Sequence, residues 1–251
     1  MATRPEDRSY GKSAHLYDLF DQKKNIDFFS RYASLPGEAL DVGAGTGRIA
    51  IPLAEKRIAV YCVEPSPAMR REFEKKLHER PQLREYIELI AGDARSFEVR
   101  RRLPTAFLSG TFDHFLDNEE RLDSLCNIAR HLIERGLLVF DVSLSRSGDR
   151  PLSPAGSARL GSVELQRFVG GKMLRDGTKE VTLVFELRER GQVVKRIEER
   201  GLIGITSREG VHRVLKEAGF EVRREFGDYQ FTPYRQGDEL LVIEAVRRRS
   251  I

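Results

Sequence analysis

The sequence predicts an α/β protein built on a seven-stranded, mostly parallel sheet with an antiparallel last strand, helices on both faces and an inserted antiparallel β-sheet cap. Three observations carry that expectation. Short apolar runs alternate with amphipathic segments from residue 39 to 142, the pattern of repeated strand–helix units. From about 160 to 205 the apolar period changes to two, as in an antiparallel meander. Two last apolar runs, 220–226 and 239–246, have no helical pattern between them, so they should pair antiparallel.

The 251 residues suit one domain carrying an insert, long enough to bury a full core. With 43 basic and 39 acidic residues the net charge is only +4, too mild to demand a polyanionic partner. Arg100-Arg101-Arg102 and Arg247-Arg248-Arg249 read as solvated loop and tail arginines, which disfavours nucleic acid as a partner. The two cysteines, Cys62 in a predicted strand and Cys126 on the apolar side of a predicted helix, read as small core residues in a reducing compartment. Residues 1–9 are polar, read as frayed, and have no signal-peptide core; no run approaches a membrane span. The expectation is a soluble cytoplasmic protein with no membrane partner.

In order, residues 11–33 place Leu16, Leu19, Phe20, Ile26, Phe29 and Tyr32 at mainly helical spacing. A strand over 39–42 runs into the glycine turn Gly43-Ala44-Gly45-Thr46-Gly47, and a helix follows from Ile49 with Pro52 in its first turn or so. The second strand, 58–63, ends at Glu64. Ser66 and Pro67 then open a helix in which Met69, Phe73 and Leu77 repeat at i+4, and Pro81 stops it. The third strand ends at Asp93. The fourth, from Thr105, enters small polar residues at Ser109-Gly110-Thr111 before Phe112-Asp113-His114. Asp117 or Asn118 caps a helix with the stripe Leu122, Leu125, Ala129, Leu132 and Ile133, which Gly136 ends, and 137–142 is the fifth strand.

At Ser143 the composition turns to Ser, Pro, Gly and Arg, so 143–157 reads as a loop. Val181, Leu183, Phe185 and Leu187 then alternate with more polar neighbours, and turns are signalled at Asp176-Gly177 and Glu189-Arg190-Gly191. Residues 1–150 and 205–251 therefore form the expected core domain, and 151–204 a cap on the substrate side; long insertions of this kind are more often functional than idle. Ser207 caps the last helix, carrying Val211, Val214, Leu215 and Ala218 and closed by Gly219.

The chemistry is concentrated at the strand tips. A dinucleotide fingerprint would need a third glycine where Arg48 stands; the sequence has G-x-G-x-G behind Asp41. Glu64 ends the next strand, where a carboxylate can accept both hydroxyls of a ribose, and Asp93 ends the third. At these residues the chain resembles the class I S-adenosylmethionine (SAM) dependent methyltransferases. The segment from Asp41 to Gly47 is similar to that family's first motif, Glu64 to its ribose acid, and Gly92-Asp93-Ala94 to its adenine-side motif. His15-Leu16-Tyr17-Asp18 resembles the Tyr-Asp segment of small-molecule members, and Thr111-Phe112-Asp113-His114 their Ser-Phe-x-His run. The resemblance covers nearly the whole chain and is weakest in the insert; Glu134-Arg135-Gly136-Leu137 departs from the Pro-Gly-Gly that relatives often have.

The resemblance implies a Rossmann-like fold that binds SAM and releases S-adenosyl-L-homocysteine. It assigns cofactor contacts to Asp41, Gly43, Ala44, Gly45, Gly47, Glu64, Pro65, Met69, Gly92, Asp93, Ala94 and Ser109, with Asp41 near the methionine ammonium. His114 and Tyr17 are the candidate catalytic residues, a histidine because imidazole can act as a base near neutral pH. His15 and Tyr234 are weaker candidates; His78, His131 and His212 read as surface residues. No metal-ligand cluster is visible. The expected function is methyl transfer to a small-molecule acceptor by in-line displacement, which asks the protein mainly to align the acceptor and exclude water. RNA or protein methylation on the same fold, or a non-catalytic SAM-binding module, are the alternatives. The acceptor, the atom methylated and pairing into a homodimer stay open.

Overall fold

The computed structural model describes residues 10–20, 25–144 and 148–248. The polar stretch 1–9, part of the first helical segment (21–24), residues 145–147 of the expected loop and Arg249 lie outside the described residues. Mainly apolar runs form the first five strands, β1 (Glu38–Val42), β2 (Ala59–Glu64), β3 (Ile87–Ala91), β4 (Leu103–Leu108) and β5 (Leu132–Ser143). Four more strands make a separate antiparallel sheet: β6 (Arg150–Leu160), β7 (Val163–Met173), β8 (Thr178–Glu189) and β9 (Gln192–Gly204). The chain then returns to the first sheet with β10 (Phe220–Phe226) and β11 (Leu240–Arg247).

The large sheet has the order β10-β11-β5-β4-β1-β2-β3. β11 runs antiparallel to both β5 and β10, and β1 to β5 pair parallel. The expected mostly parallel seven-stranded sheet with its reversed last strand is therefore what the chain forms. Because β1 lies beside β4 and β2, the tips of β1, β2 and β4 point the same way around one crevice, the place where open α/β sheets bind ligands.

Helices cover both faces. On one side α1 (Ile26–Ser34), α2 (Ala50–Glu55) and α3 (Pro67–Glu79) pack Phe28, Phe29, Leu53, Phe73 and Leu77 against Phe107 and Val139. On the other, α4 (Asn118–Arg130) and α5 (Arg208–Glu217) bring Leu125, Ile128, Val211 and Leu215 against Leu108, Leu138 and Phe140. Neighbouring strand residues thus feed opposite cores, as the two-residue pleat requires. Ser66, Asp117 and Ser207 cap α3, α4 and α5 with side-chain acceptors for backbone N–H groups.

Among the described residues the helical spacing of 11–33 takes the form of a 3-10 helix over Ala14–Phe20 and α1 from Ile26. Two expectations need correction. The α4 helix stops at Arg130, not at Gly136, and β5 begins at Leu132. The β4–β5 register shifts between Leu103 and Thr105, and that irregularity breaks the alternation that would have marked Leu132 and Ile133 as strand. Gly136 is small because a Cβ there would lie 2.9 Å from Ile133 O, not because it ends a helix. Lastly, β6 begins at Arg150, inside the expected loop.

Among the described residues no helix is long and apolar enough to cross a membrane. The arginine clusters are partly spent on structure. Arg101 pairs with Glu38 at 2.8 Å, and Arg247 donates to Leu132 O.

Candidate active site

The carboxyl ends of β1 to β4 open on one cavity. Gly43 and Gly45 line it. Gly43 has φ +77°, and a Cβ there would come within 2.3 Å of Thr111 Oγ1, so both conformation and space exclude a side chain. Glu64, 6 % exposed, accepts Gly45 N–H at 2.8 Å on Oε2 and Ser66 N–H at 2.7 Å on Oε1. Burial outweighs those bonds and pushes its carboxyl above the ordinary value. Each oxygen keeps a second lone pair. Arg70 donates to Glu64 O and Pro65 O, both at 2.6 Å, and steadies the strand tip.

At the next tip, Asp93 is held by Arg95. Oδ1 accepts Arg95 N–H and Nε–H, both at 2.8 Å, and Oδ2 accepts Nη2–H at 2.9 Å. Arg95 also reaches Glu120 at 3.3 Å.

Aromatic rings form the opposite wall. Tyr10 stands edge-on to Tyr17 with centroids 5.3 Å apart, and to His114 at 6.1 Å. Asp18, next to Tyr17, accepts Thr46 Oγ1–H at 2.7 Å and pairs with Lys76, which itself donates to Thr46 O at 2.9 Å. The Tyr-Asp segment is thereby fastened to the glycine turn.

Tyr10, Tyr17, Gly110 and His114 also line a second cavity of about 330 Å³. Its floor is one face of the small sheet. Lys179, Val181 and Leu183 of β8 stand opposite Ile203, Gly201 and Glu199 of β9, with Gly171 and Val169 of β7 on the other side. The two cavities share a wall, so a group in one can face a group in the other.

Behind the first cavity lies a buried polar network. Ser109 accepts from Asn25 Nδ2 at 2.9 Å and Arg48 Nη2 at 2.7 Å, while Arg48 also donates to Asn25 Oδ1. Asp141 accepts Gly110 N–H at 2.7 Å and Tyr229 O–H at 3.0 Å. Asp41 is 2 % exposed, and its carboxyl is pushed up to about 7 by burial, with Arg48 opposing and Glu64 reinforcing the rise.

Of the residues singled out from sequence, Gly43, Gly45, Glu64, Pro65, Met69, Asp93, Ala94, Ser109, Tyr17 and His114 line the cavity. Asp41, Ala44, Gly47 and Gly92 stand behind it. Ala44 is buried in the core, and Cβ atoms at Gly47 and Gly92 would meet Phe73 at 2.3 Å and Phe97 at 3.2 Å. His15 is exposed and Tyr234 lies beneath Arg208, both away from the cavity. His78 is exposed, as expected. His131 is not a surface residue: it is 6 % exposed, stacks on Phe97 at 4.6 Å and lies 2.9 Å from Asn127 O. His212 is half-buried against Glu225 at 2.7 Å. Sequence reasoning did not single out Tyr10, Arg95 or Glu120. The acid two residues before Arg95 was the available signal, since an i, i+2 pair around a strand tip can form a fork.

The fold, with β11 reversed between β5 and β10, is that of the class I SAM-dependent methyltransferases. Residues 39–136 match a family model described as a methyltransferase domain. A protein of Bacillus thuringiensis described as an uncharacterised methyltransferase is 30 % identical over 138 residues, 51 % of this chain and 62 % of that protein. The match thus spans about three fifths of the relative's length. A SAM-dependent methyltransferase from Clostridium acetobutylicum superposes with a TM-score of 0.77 at 19 % identity, covering 96 % of this chain and 99 % of the other. The sugar N-methyltransferase KedS8 of a Streptoalloteichus species superposes with a TM-score of 0.75 at 19 % identity, covering 99 % and 97 %.

Proposed function

We propose that the chain is a SAM-dependent methyltransferase acting on a small-molecule acceptor. The observation that carries this reading is the junction of two cavities at Tyr10, Tyr17 and His114. One is walled by the strand-tip carboxylates and the glycine turn, the other by the small sheet.

The first cavity suits the cofactor. Glu64 offers one free lone pair on each oxygen for the two ribose hydroxyls, Asp93 and Ala94 flank the adenine, and the open backbone at Gly45 receives the methionine part. The strand-tip carboxylates favour a cationic guest. When bound, SAM supplies a methyl group on an already activated sulfonium. The chain's own work is to hold the acceptor in line and exclude water. His114, on the shared wall, takes the proton of an acceptor that must lose one.

The second cavity, about 330 Å³ with an apolar floor and a few polar groups, is sized for a small molecule. The sugar N-methyltransferase among the similar structures supports a compact acceptor of that kind. Titration calorimetry tests the reading. S-adenosylhomocysteine is expected to bind in the micromolar range and Glu64→Ala to lose it, whereas binding of NAD in its place would overturn the assignment.

A further inference from the structure

Asp93 does not reach the cavity as a free carboxylate. Oδ1 already accepts two N–H groups, from the Arg95 backbone and Nε, and Oδ2 accepts Nη2–H. An ionised carboxylate has about four acceptor positions, so the second lone pair of Oδ2 is the one these bonds leave. The fork is itself anchored. Arg95 Nη1 reaches Glu120 Oε1 at 3.3 Å, and Glu120 Oε2 accepts Leu116 N–H at 2.9 Å. The chain Asp93–Arg95–Glu120 thus ties the tip of β3 to the loop that follows His114, and all three residues line the cavity. The backbone agrees with the side chains. Ser96 and Phe97 N–H both donate to Asp93 O, at 3.0 and 2.9 Å, so the residue is fixed at both ends.

We propose that Arg95 is a positioning residue for base recognition: its fork holds Asp93 as a non-rotating acceptor, so the site takes a 6-aminopurine and rejects a 6-oxopurine. The inference rests on the cofactor reading above. Adenine offers a donor at position 6 and an acceptor at N1, and hypoxanthine reverses both. A carboxylate locked by a bidentate guanidinium cannot swing to the N1–H of hypoxanthine, and its fixed acceptor oxygen meets the O6 of that base lone pair to lone pair. A site built to receive a donor is left with one acceptor position unmet when the guest lacks one, the strong direction of discrimination. Without the Arg95 side chain only the backbone N–H still holds Oδ1, so the carboxylate can turn about that bond and either base can be met.

The test needs no acceptor substrate. S-adenosylhomocysteine and its 6-oxo analogue, S-inosylhomocysteine, are titrated into the full chain and into Arg95→Gln, Arg95→Lys and Glu120→Gln. The wild type is expected to prefer the adenosyl ligand by roughly tenfold or more. Arg95→Gln should narrow that ratio to within about threefold, and Arg95→Lys, which keeps the charge without the fork, should recover only part of it. Glu120→Gln should narrow the ratio less than Arg95→Gln, and it provides the readout if the Arg95 variants fold poorly. If both affinities fall together at an unchanged ratio, Arg95 is merely structural and the proposal fails. If the wild type binds neither ligand, the cofactor reading fails and takes the inference with it.

Discussion

The Glu199 carboxylate of β9 accepts hydrogen bonds from Ser13 N–H at 3.1 Å, from the Ser13 hydroxyl, and from Lys12 N–H at 3.0 Å. One buried acid of the small sheet therefore ends the backbone of the segment that carries Tyr17, which Asp18 ties to the glycine turn at its other end. The strap between the two cavities is fastened to both sheets.

Removing that acid should loosen the strap without unfolding the sheets. Glu199→Ala is expected to raise amide exchange across 10–20 at least tenfold, the loss of about 1–3 kcal/mol of local stability that unpaired buried donors cost. Exchange in β1 and β5 should stay as it was. Glu199→Gln keeps one acceptor oxygen and should fall between the two. Unchanged exchange at 10–20 would show that the aromatic contacts and the Asp18 tie hold the segment without Glu199.

Gly43→Ala combines two penalties, a positive φ and a methyl 2.3 Å from Thr111 Oγ1. A destabilisation of roughly 2–4 kcal/mol is expected from strain plus a forced shift of Thr111, with at least a tenfold loss of S-adenosylhomocysteine affinity. Urea unfolding and calorimetry read the two effects separately. Adding Thr111→Ser removes a methyl from the clash but not the strained φ, so it should restore only part of the stability.

The central parallel strands were legible because a strand buried on both faces reads as an apolar run, and the edge strand β3 because its run, like the two before it, ends in an acid. The strap's Tyr10 was not. It is one aromatic beside a polar stretch, and its place in the site comes from packing on Tyr17 and His114. The strand β6 was hidden by its own composition. Pro151, Pro154 and Gly156 are turn formers, tolerated because β6 is an edge strand whose pairing with β7 skips between Arg150 and Ser153 and again between Pro154 and Ser157. His131 looked like a surface helix residue because nothing local announces Phe97, thirty-four positions earlier, as its stacking partner.

Arg121 joins the His114 turn to the exit of the small sheet. It is 3 % exposed and donates to Phe115 O at 3.1 Å, Ile205 O at 3.4 Å and Asn118 Oδ1 at 3.0 Å. Gly204 leaves room for it, since a Cβ there would lie 2.5 Å from Arg121 Nη2. Arg121→Met should cost about 2–4 kcal/mol by stranding buried carbonyls. Arg121→Lys should regain less than half, because one ammonium does not span three acceptors on a planar fork. Urea melts of the two variants decide; equal stability of Met and Lys would mean that only the stem packing matters.

The buried Asp41 makes stability depend on pH in an unusual direction. Its carboxyl ionises near 3.8 in the unfolded chain and is pushed up to about 7 in the native one, burial being the largest cause. Between those values the native state holds a proton that the unfolded state has lost. Stability from this group is therefore greatest below 3.8, falls as pH rises through the window, and is level above 7. Asp41→Asn cannot titrate, so groups common to both proteins cancel in the comparison. Relative to wild type the variant should gain on the order of 2 kcal/mol of stability between pH 5 and pH 8, measured by urea unfolding at the two pH values. A gap that does not change with pH would mean that Arg48 keeps the carboxylate ionised throughout, and that the charge at the tip of β1 is permanent.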